Sequence, residues 1–451
     1  MLRSRNWFML SILIVVALLL AACPAPSPAA ESGGGASSGE SAAPAEMEPI
    51  KIGAIFDLTG PTSDVGVFYS EGIKGYIDFL NQNGGIDGHK LELFSADYAY
   101  AVDQAEQLYS QYVNQEGVVV FSGWGTGDTE ALRGRIGDDQ MPFVSASYSA
   151  VLKDPAEAPY NFLVGTTYSD QFILAIDRAI DEGATTIALF HNDSPFGTSP
   201  LEDGRAHAEA KGASVINFPM PRGATDYTAE LAQAVEQGAS HIVIQNVSSP
   251  AATLLKNVKD QGLDVTVMCL NWCTNKVLLE LGGEAAEGTI GVNPFTFPSS
   301  GVPGLTEISD YLAATGGSLD DQGGLYVAGW VTMKVLLQGV ADTVAAGQEI
   351  TGENIRANLE ALSNFDTGGI TDPISFSAED HAGNKTVQFF EVSGGAGIQF
   401  QNALAWRSRR VAGSEWRVAE TRQLATRHPL TRHPRTHNSY HAYTQQRRSH
   451  L

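Results

Sequence analysis

The sequence predicts an α/β protein of two doubly wound parallel-sheet lobes. Short apolar runs alternate with longer amphipathic stretches from Ile50 onward, the pattern of parallel strands covered by helices. The alternation falls into two blocks, about 50–164 and 165–292. The chain of 451 residues is also long enough for more than one domain at roughly 150 residues each.

In the first block, Ile52–Phe56 reads as a strand and Ser70–Asn81 as a helix with Ile73, Ile77 and Leu80 on one stripe. Asn83-Gly84-Gly85-Ile86-Asp87-Gly88 is a turn. Strands are expected at Leu91–Ser95, Val118–Phe121 and Pro142–Ser145, and helices at Asp103–Val113 and Thr129–Ile136. The second block runs through strands at Thr186–Phe190, Ser214–Phe218, His241–Ile244 and Val265–Met268. Its helices are expected near Leu201–Ala210, Tyr227–Val235 and Ala252–Val258. Helices at Gly324–Val344 and Asn354–Leu362 and a late strand at Thr386–Val392 follow.

The N-terminus has its own organisation. Arg3 and Arg5 precede a run of about 14 apolar residues, Trp7–Leu20, the length of a signal-peptide core and short for a membrane span. The run ends at Leu20-Ala21-Ala22-Cys23, which resembles the bacterial lipobox, in which the cysteine receives a lipid and becomes the mature N-terminus. A plain secretory signal beside a chance cysteine is the alternative. Residues 24–49 hold only small, polar and acidic residues with Pro and one Met, a composition that buries too little apolar surface to order itself and reads as a tether.

The net charge of −23 hides an asymmetry: residues 50–404 hold 45 Asp and Glu against 16 Lys and Arg, whereas residues 405–451 hold ten Arg and only two acids. So acidic a folded region repels nucleic acid. The basic stretch is read as a disordered tail, either a surface-binding arm or translation in a shifted frame; the abrupt loss of Lys and acids favours the second. Besides Cys23 the chain has Cys269 and Cys273. Export permits a local disulfide between them, free thiols are the alternative, and no nearby His or Cys completes a metal site.

Several segments together resemble the type I periplasmic binding proteins that serve branched-chain amino-acid, amide and urea importers. They are Lys51-Ile52-Gly53-Ala54-Ile55-Phe56-Asp57-Leu58-Thr59-Gly60-Pro61, Asn83 to Leu91, Pro142 to Ser149, and Asn192-Asp193-Ser194-Pro195-Phe196-Gly197. The resemblance covers roughly residues 50–395 and implies three segments crossing between the lobes, expected near Phe162–Thr166, Asn293–Phe295 and Asp366–Ile370. The expected domains are a lipoprotein signal (1–23), a tether (24–49), lobe 1 (50–164 with 296–366), lobe 2 (165–295 with 367–402) and the tail (403–451). The implied partners are a small ligand, transporter permease subunits and the membrane through the lipid on Cys23.

In open parallel sheets ligands bind beyond the carboxyl ends of the strands. The loops there hold hydroxyls, glycines, amides and aromatics, which suits a small polar-headed molecule. Gly125-Thr126-Gly127 precedes a helix, whose free N–H groups favour an anion. The resemblance implies that Ser147 and Ser149 hold the ligand's carboxylate or amino group and that Phe196 packs on it; Thr126 lies one position off a family hydroxyl, where this chain has Gly127. Trp124, Tyr148 and Trp272 add apolar walls. The competing readings are turn stabilisation for the hydroxyls and core burial for the aromatics. Amino-acid binders of this family carry a carboxylate where this chain has Asn271, which supplies no charge. Either Asp128, Asp170 or Asp193 replaces it, or the ligand has no ammonium; amino acids, amides and other small carboxylates all stay open. No phosphate-binding loop, Gly-x-Ser-x-Gly or His-Glu-x-x-His occurs, so neither an enzyme nor a cofactor is expected. A ligand-sensing ectodomain of the same fold is the alternative function.

Overall fold

A computed structural model describes residues 47–394 and 399–402. Cys23, its lipobox, the tether up to residue 46 and the tail from 403 lie outside the described residues.

The first sheet contains β1 (Ile50–Phe56), β2 (Leu91–Asp97), β3 (Val120–Gly123), β4 (Phe143–Ser145) and β5 (Asn161–Phe162). The order is β2-β1-β3-β4-β5, all parallel, with Ile52 of β1 opposite Val120 of β3. Helices α1 (Ser63–Gln82), α2 (Val102–Gln111) and α3 (Thr126–Asp138) connect its strands. β1 is buried along nearly its whole length, as expected of a strand covered on both faces.

The chain then builds a second lobe. Its helices are α4 (Tyr168–Asp181), α5 (Pro195–Thr198), α6 (Leu201–Ala210), α7 (Thr228–Glu236), α8 (Ser248–Asp260) and α9 (Lys276–Gly282). Its strands are β6 (Thr186–Asn192), β7 (Ser214–Met220), β8 (His241–Gln245), β9 (Thr266–Cys269) and β10 (Ile290–Asn293), all parallel. Ala188, Phe190, Ile242 and Ile244 pack on one face of this sheet and Ile187, Leu189 and Val243 on the other, the two-residue period of a strand. After β10 the chain returns to lobe 1 as α10 (Gly304–Thr315), α11 (Leu319–Ala345) and α12 (Gly352–Glu360). It ends on β11 (Gln388–Ser393) and β12 (Gln399–Asn402), which extend the second sheet antiparallel to the order β12-β11-β10-β9-β8-β6-β7.

Helix α11 is apolar enough to cross a membrane, but it is a buried core helix here. It lies against α1 at backbone distance: a Cβ on Gly329 would sit 2.1 Å from the Tyr69 carbonyl oxygen, and one on Gly72 2.1 Å from that of Tyr326.

Three segments cross between the lobes side by side. Leu163 donates its N–H to the His381 carbonyl and accepts one from Gly383. The Thr166 hydroxyl donates to the Thr386 carbonyl, and Asn384 Nδ2 donates to the Pro294 carbonyl. The third crossing is therefore at about 382–387, a correction to the expectation of Asp366–Ile370. Ile370, Ile374 and Phe376 belong to the core of the first lobe, and the Ile370 carbonyl accepts from Thr296 N. The apolar residues after 366 carry no periodicity that says which core receives them. Helix α1 starts seven residues before the expected Ser70, with Val65 and Tyr69 buried on its face. Helix α4 was not anticipated at all. Its signals were in the sequence: Thr167 caps it by accepting from Asp170 N, and Phe172, Ala175, Ile176 and Ala179 form the buried stripe.

Candidate functional site

The carboxyl ends of the two sheets face a shared cleft. Lobe 1 contributes Thr62 and Val65 after β1, Tyr100 after β2, Trp124, Gly125 and Thr126 after β3, and Ala146 after β4. Lobe 2 contributes Tyr168 at the start of α4, Phe196 after β6, Val247 after β8 and Trp272 after β9. They border a narrow gap of about 240 Å³, its open mouth included, and none carries a formal charge.

Each wall is held from behind. Asp57 accepts from Gly60 N and Thr62 N and from the Thr62 hydroxyl; Thr62 Oγ1 in turn accepts from Trp124 Nε1 at 2.8 Å. The Ser147 hydroxyl donates to Thr126 Oγ1 at 2.8 Å. Ala99 and Tyr100 both have left-handed backbones, φ 51 and 62, uncommon for residues with a side chain. Asp97 braces that turn by accepting from Ala99 N, Leu58 N and the Thr59 hydroxyl.

Of the residues singled out from sequence, Trp124, Thr126, Phe196 and Trp272 meet at the cleft. Ser147 and Tyr148 are buried one layer behind it. Ser149 is a correction: its hydroxyl donates to Glu130 Oε1 at 2.7 Å and it borders an outer hollow instead, because the chain turns into a short 3-10 helix at Ala150. Asn271 is buried beside the cleft, and its N–H donates to Gln171 Oε1. None of the three candidate acids lines the space: Asp193 is exposed, Asp170 is half-buried on α4, and Asp128 lies under the α3 N-terminus, where it accepts from the Tyr98 hydroxyl. Sequence reasoning missed Thr62, Val65, Tyr100 and Tyr168; Ala146 and Val247 lie in the strand-end loops 145–149 and 246–249 that it placed at the site, without being singled out there. The rule that found the loop after β3 applies equally to those after β1 and β2 and would have raised the first three.

Burial pushes the Asp128 carboxyl up to about 7, with hydrogen bonds from Tyr98 and the backbone only partly opposing it. A carboxyl raised above its ordinary 3.8 stabilises the fold fully below that value, and the contribution is lost as pH rises through the folded value. Each unit is worth about 1.4 kcal/mol. Asp128→Asn keeps the shape and an acceptor for Tyr98, so between pH 5 and pH 8 the variant is expected to lose less urea stability than the parent; parallel losses would contradict this electrostatic reading.

Lobe 2 groups cross the cleft into lobe 1. Tyr168, Phe196, Val247 and Trp272 all join the hydrophobic cluster of lobe 1. The Tyr168 hydroxyl donates to the Ala146 carbonyl, and Tyr168 N to that of Tyr148. At the rim, Ser249 in the first turn of α8 donates both its N–H and its hydroxyl to Asp64 Oδ2 of α1, at 2.8 and 2.7 Å. The lobes are closed on each other.

Residues 49–396 match the periplasmic binding protein family. The chain belongs to that family. This binding protein is 23% identical to the leucine-, isoleucine-, valine-, threonine- and alanine-binding protein of Pseudomonas aeruginosa, over 72% of this chain and 86% of that one. It is 23% identical to the Leu/Ile/Val-binding protein of Escherichia coli K12, over 64% and 77%. Its fold matches a branched-chain amino acid ABC transporter protein of Thermus thermophilus with bound valine, at TM-score 0.75 and 23% identity, covering 81% of this chain and 97% of that one. An ABC transporter substrate-binding protein of Aeropyrum pernix matches at TM-score 0.72 and 28% identity, covering 79% and 95%. Membership places the binding protein outside the cytoplasm. Among its described residues no group of three or more His, Cys, Asp or Glu is arranged to hold a metal ion.

Proposed function

We propose that this chain is the ligand-capturing component of an ABC importer: it takes a small amino acid, amide or related compound into the interlobe cleft, closes on it and presents the closed form to permease subunits. The observation that carries this reading is the cleft itself, an uncharged, aromatic-rich space built by strand ends of both sheets. A ligand drives closure only if it bonds the closed state better than the open one. A molecule held by Thr126 and the α3 N-terminus on one side and covered by Phe196 and Trp272 on the other meets that condition. The positive end of the α3 dipole suits a carboxylate, and the aromatics suit an apolar remainder. The relatives' names support amino acids as the first compounds to try. A thermal-shift screen of amino acids, amides and small carboxylates tests the reading, because a ligand of the native state raises its melting temperature. A hit with no compaction in small-angle scattering would refute closure.

In this reading the protein is tethered to the membrane by a lipid on Cys23 and catalyses nothing. Cys23→Ser is expected to move the mature protein from the membrane to the soluble fraction of disrupted cells. Equal membrane association of parent and variant would exclude the lipid anchor.

A further inference from the structure

We propose that Trp272 sets the size limit of the ligand site: its indole, carried by lobe 2, fills the deep end of the cleft against lobe 1 and leaves room only for a compound with a small side group. The proposal deepens the reading of the cleft as a ligand site and rests on it.

Trp272 follows β9 in the chain, yet its ring packs almost wholly on the other lobe. It lies 5.3 Å from Trp124, 5.8 Å edge-on from Tyr69 and 5.9 Å from Tyr148, nearly parallel to that ring at 12°. Only 5% of the residue is exposed. Its Nε1 donates to the Tyr168 hydroxyl at 2.8 Å, which fixes the rotation of the ring about its own axis. The backbone on both sides is held as well. Cys269 and Cys273 form a disulfide across the loop, Asn271 N is bonded to Gln171, and the Trp272 carbonyl accepts from Asn275 Nδ2 at 2.8 Å. The indole therefore cannot swing aside without breaking several contacts at once.

In the closed form the space left beside it is little more than water-sized, so the indole occupies volume that a bulky side group would need. Removing the indole would join that space to a recess walled by Tyr69, Trp124 and Tyr148. That recess would be walled by aromatic rings and bordered by the Tyr69, Tyr148 and Tyr168 hydroxyls, so a guest of indole's shape that can donate to Tyr168 fits it.

The test uses the mature protein and its Trp272→Ala variant. The probes are free indole and a series of amino acids with their matching carboxylic acids, from alanine-sized to tryptophan-sized side groups. Indole is expected to stabilise Trp272→Ala and not the parent. The ratio of affinities for aromatic over small aliphatic members should rise by about tenfold or more in the variant, or about 1.4 kcal/mol. Indole failing to stabilise the variant, or an unchanged size ranking, overturns the proposal. If the variant takes indole while the parent binds nothing in the series, the indole's place is confirmed and the reading of the cleft as a site for such compounds fails. Should Trp272→Ala not fold, Trp272→Leu with benzene as the smaller guest gives the same two outcomes.

Discussion

Gly329→Val is expected to cost the folded protein about 3 kcal/mol, at the upper end of what overpacking a core usually does. The reason is the seam between α1 and α11. A side chain at Gly329 meets the Tyr69 carbonyl, and one at Gly72 meets that of Tyr326, each at 2.1 Å. Backbone cannot rotate away as a long side chain could, so the helices must separate. Gly72→Ala should destabilise as well, and the two substitutions together should cost less than their sum, since the first already opens the seam. Gly134 is the control: it lies inside α3 with nothing near its missing Cβ, so Gly134→Ala should leave stability unchanged or raise it by up to about 1 kcal/mol. The measurement is the urea midpoint at constant slope. A Gly329→Val variant as stable as the parent would mean that the helices do not touch as described.

Phe196→Ala should weaken ligand binding by roughly thirtyfold, about 2 kcal/mol, the order of one buried aromatic side chain. Phe196 stands on the short helix α5, edge-on to Tyr168 at 5.4 Å, and its backbone carbonyl is anchored by Gln245 Nε2 at 3.0 Å. Its ring belongs to lobe 2 by chain and to the lobe 1 cluster by packing. Closure therefore buries it, and its loss penalises the closed form selectively. Calorimetry with a compound from the screen, together with scattering, should show lower affinity and incomplete compaction, while the ligand-free melting temperature moves little. Unchanged affinity, or a large drop in ligand-free stability with affinity intact, would assign the ring to the core and not to binding.

Much of the cleft's lining was legible because strand ends are legible. Trp124 and Thr126 sit between glycines directly after an apolar run, Phe196 lies in a Pro-Phe-Gly turn after another, and Trp272 lies between two cysteines after a third. Each position follows from one strand and the rule that ligands gather at its carboxyl end. Ser149 failed because a single residue decides whether a loop continues along the cleft or turns away, and here the 3-10 turn at Ala150 carries it to Glu130. Tyr168 was missed together with its helix, since a crossing segment separates it from every strand of its own lobe.

The sequence by itself determined the alternation of strands and helices, the mostly parallel character of both sheets and the strand-end loops that line the cleft, because these depend on local periodicity and on chain direction. Only the tertiary structure decided that the third crossing lies near 382–387, that Asp64 meets Ser249, and that Trp272 of one lobe rests on Tyr69, Trp124 and Tyr148 of the other. Those contacts join residues about 120 to 220 positions apart. Nothing in the neighbouring sequence encodes them; they exist because two separately built sheets come together, and the side chains that fill the gap are chosen by the shape each lobe presents to the other.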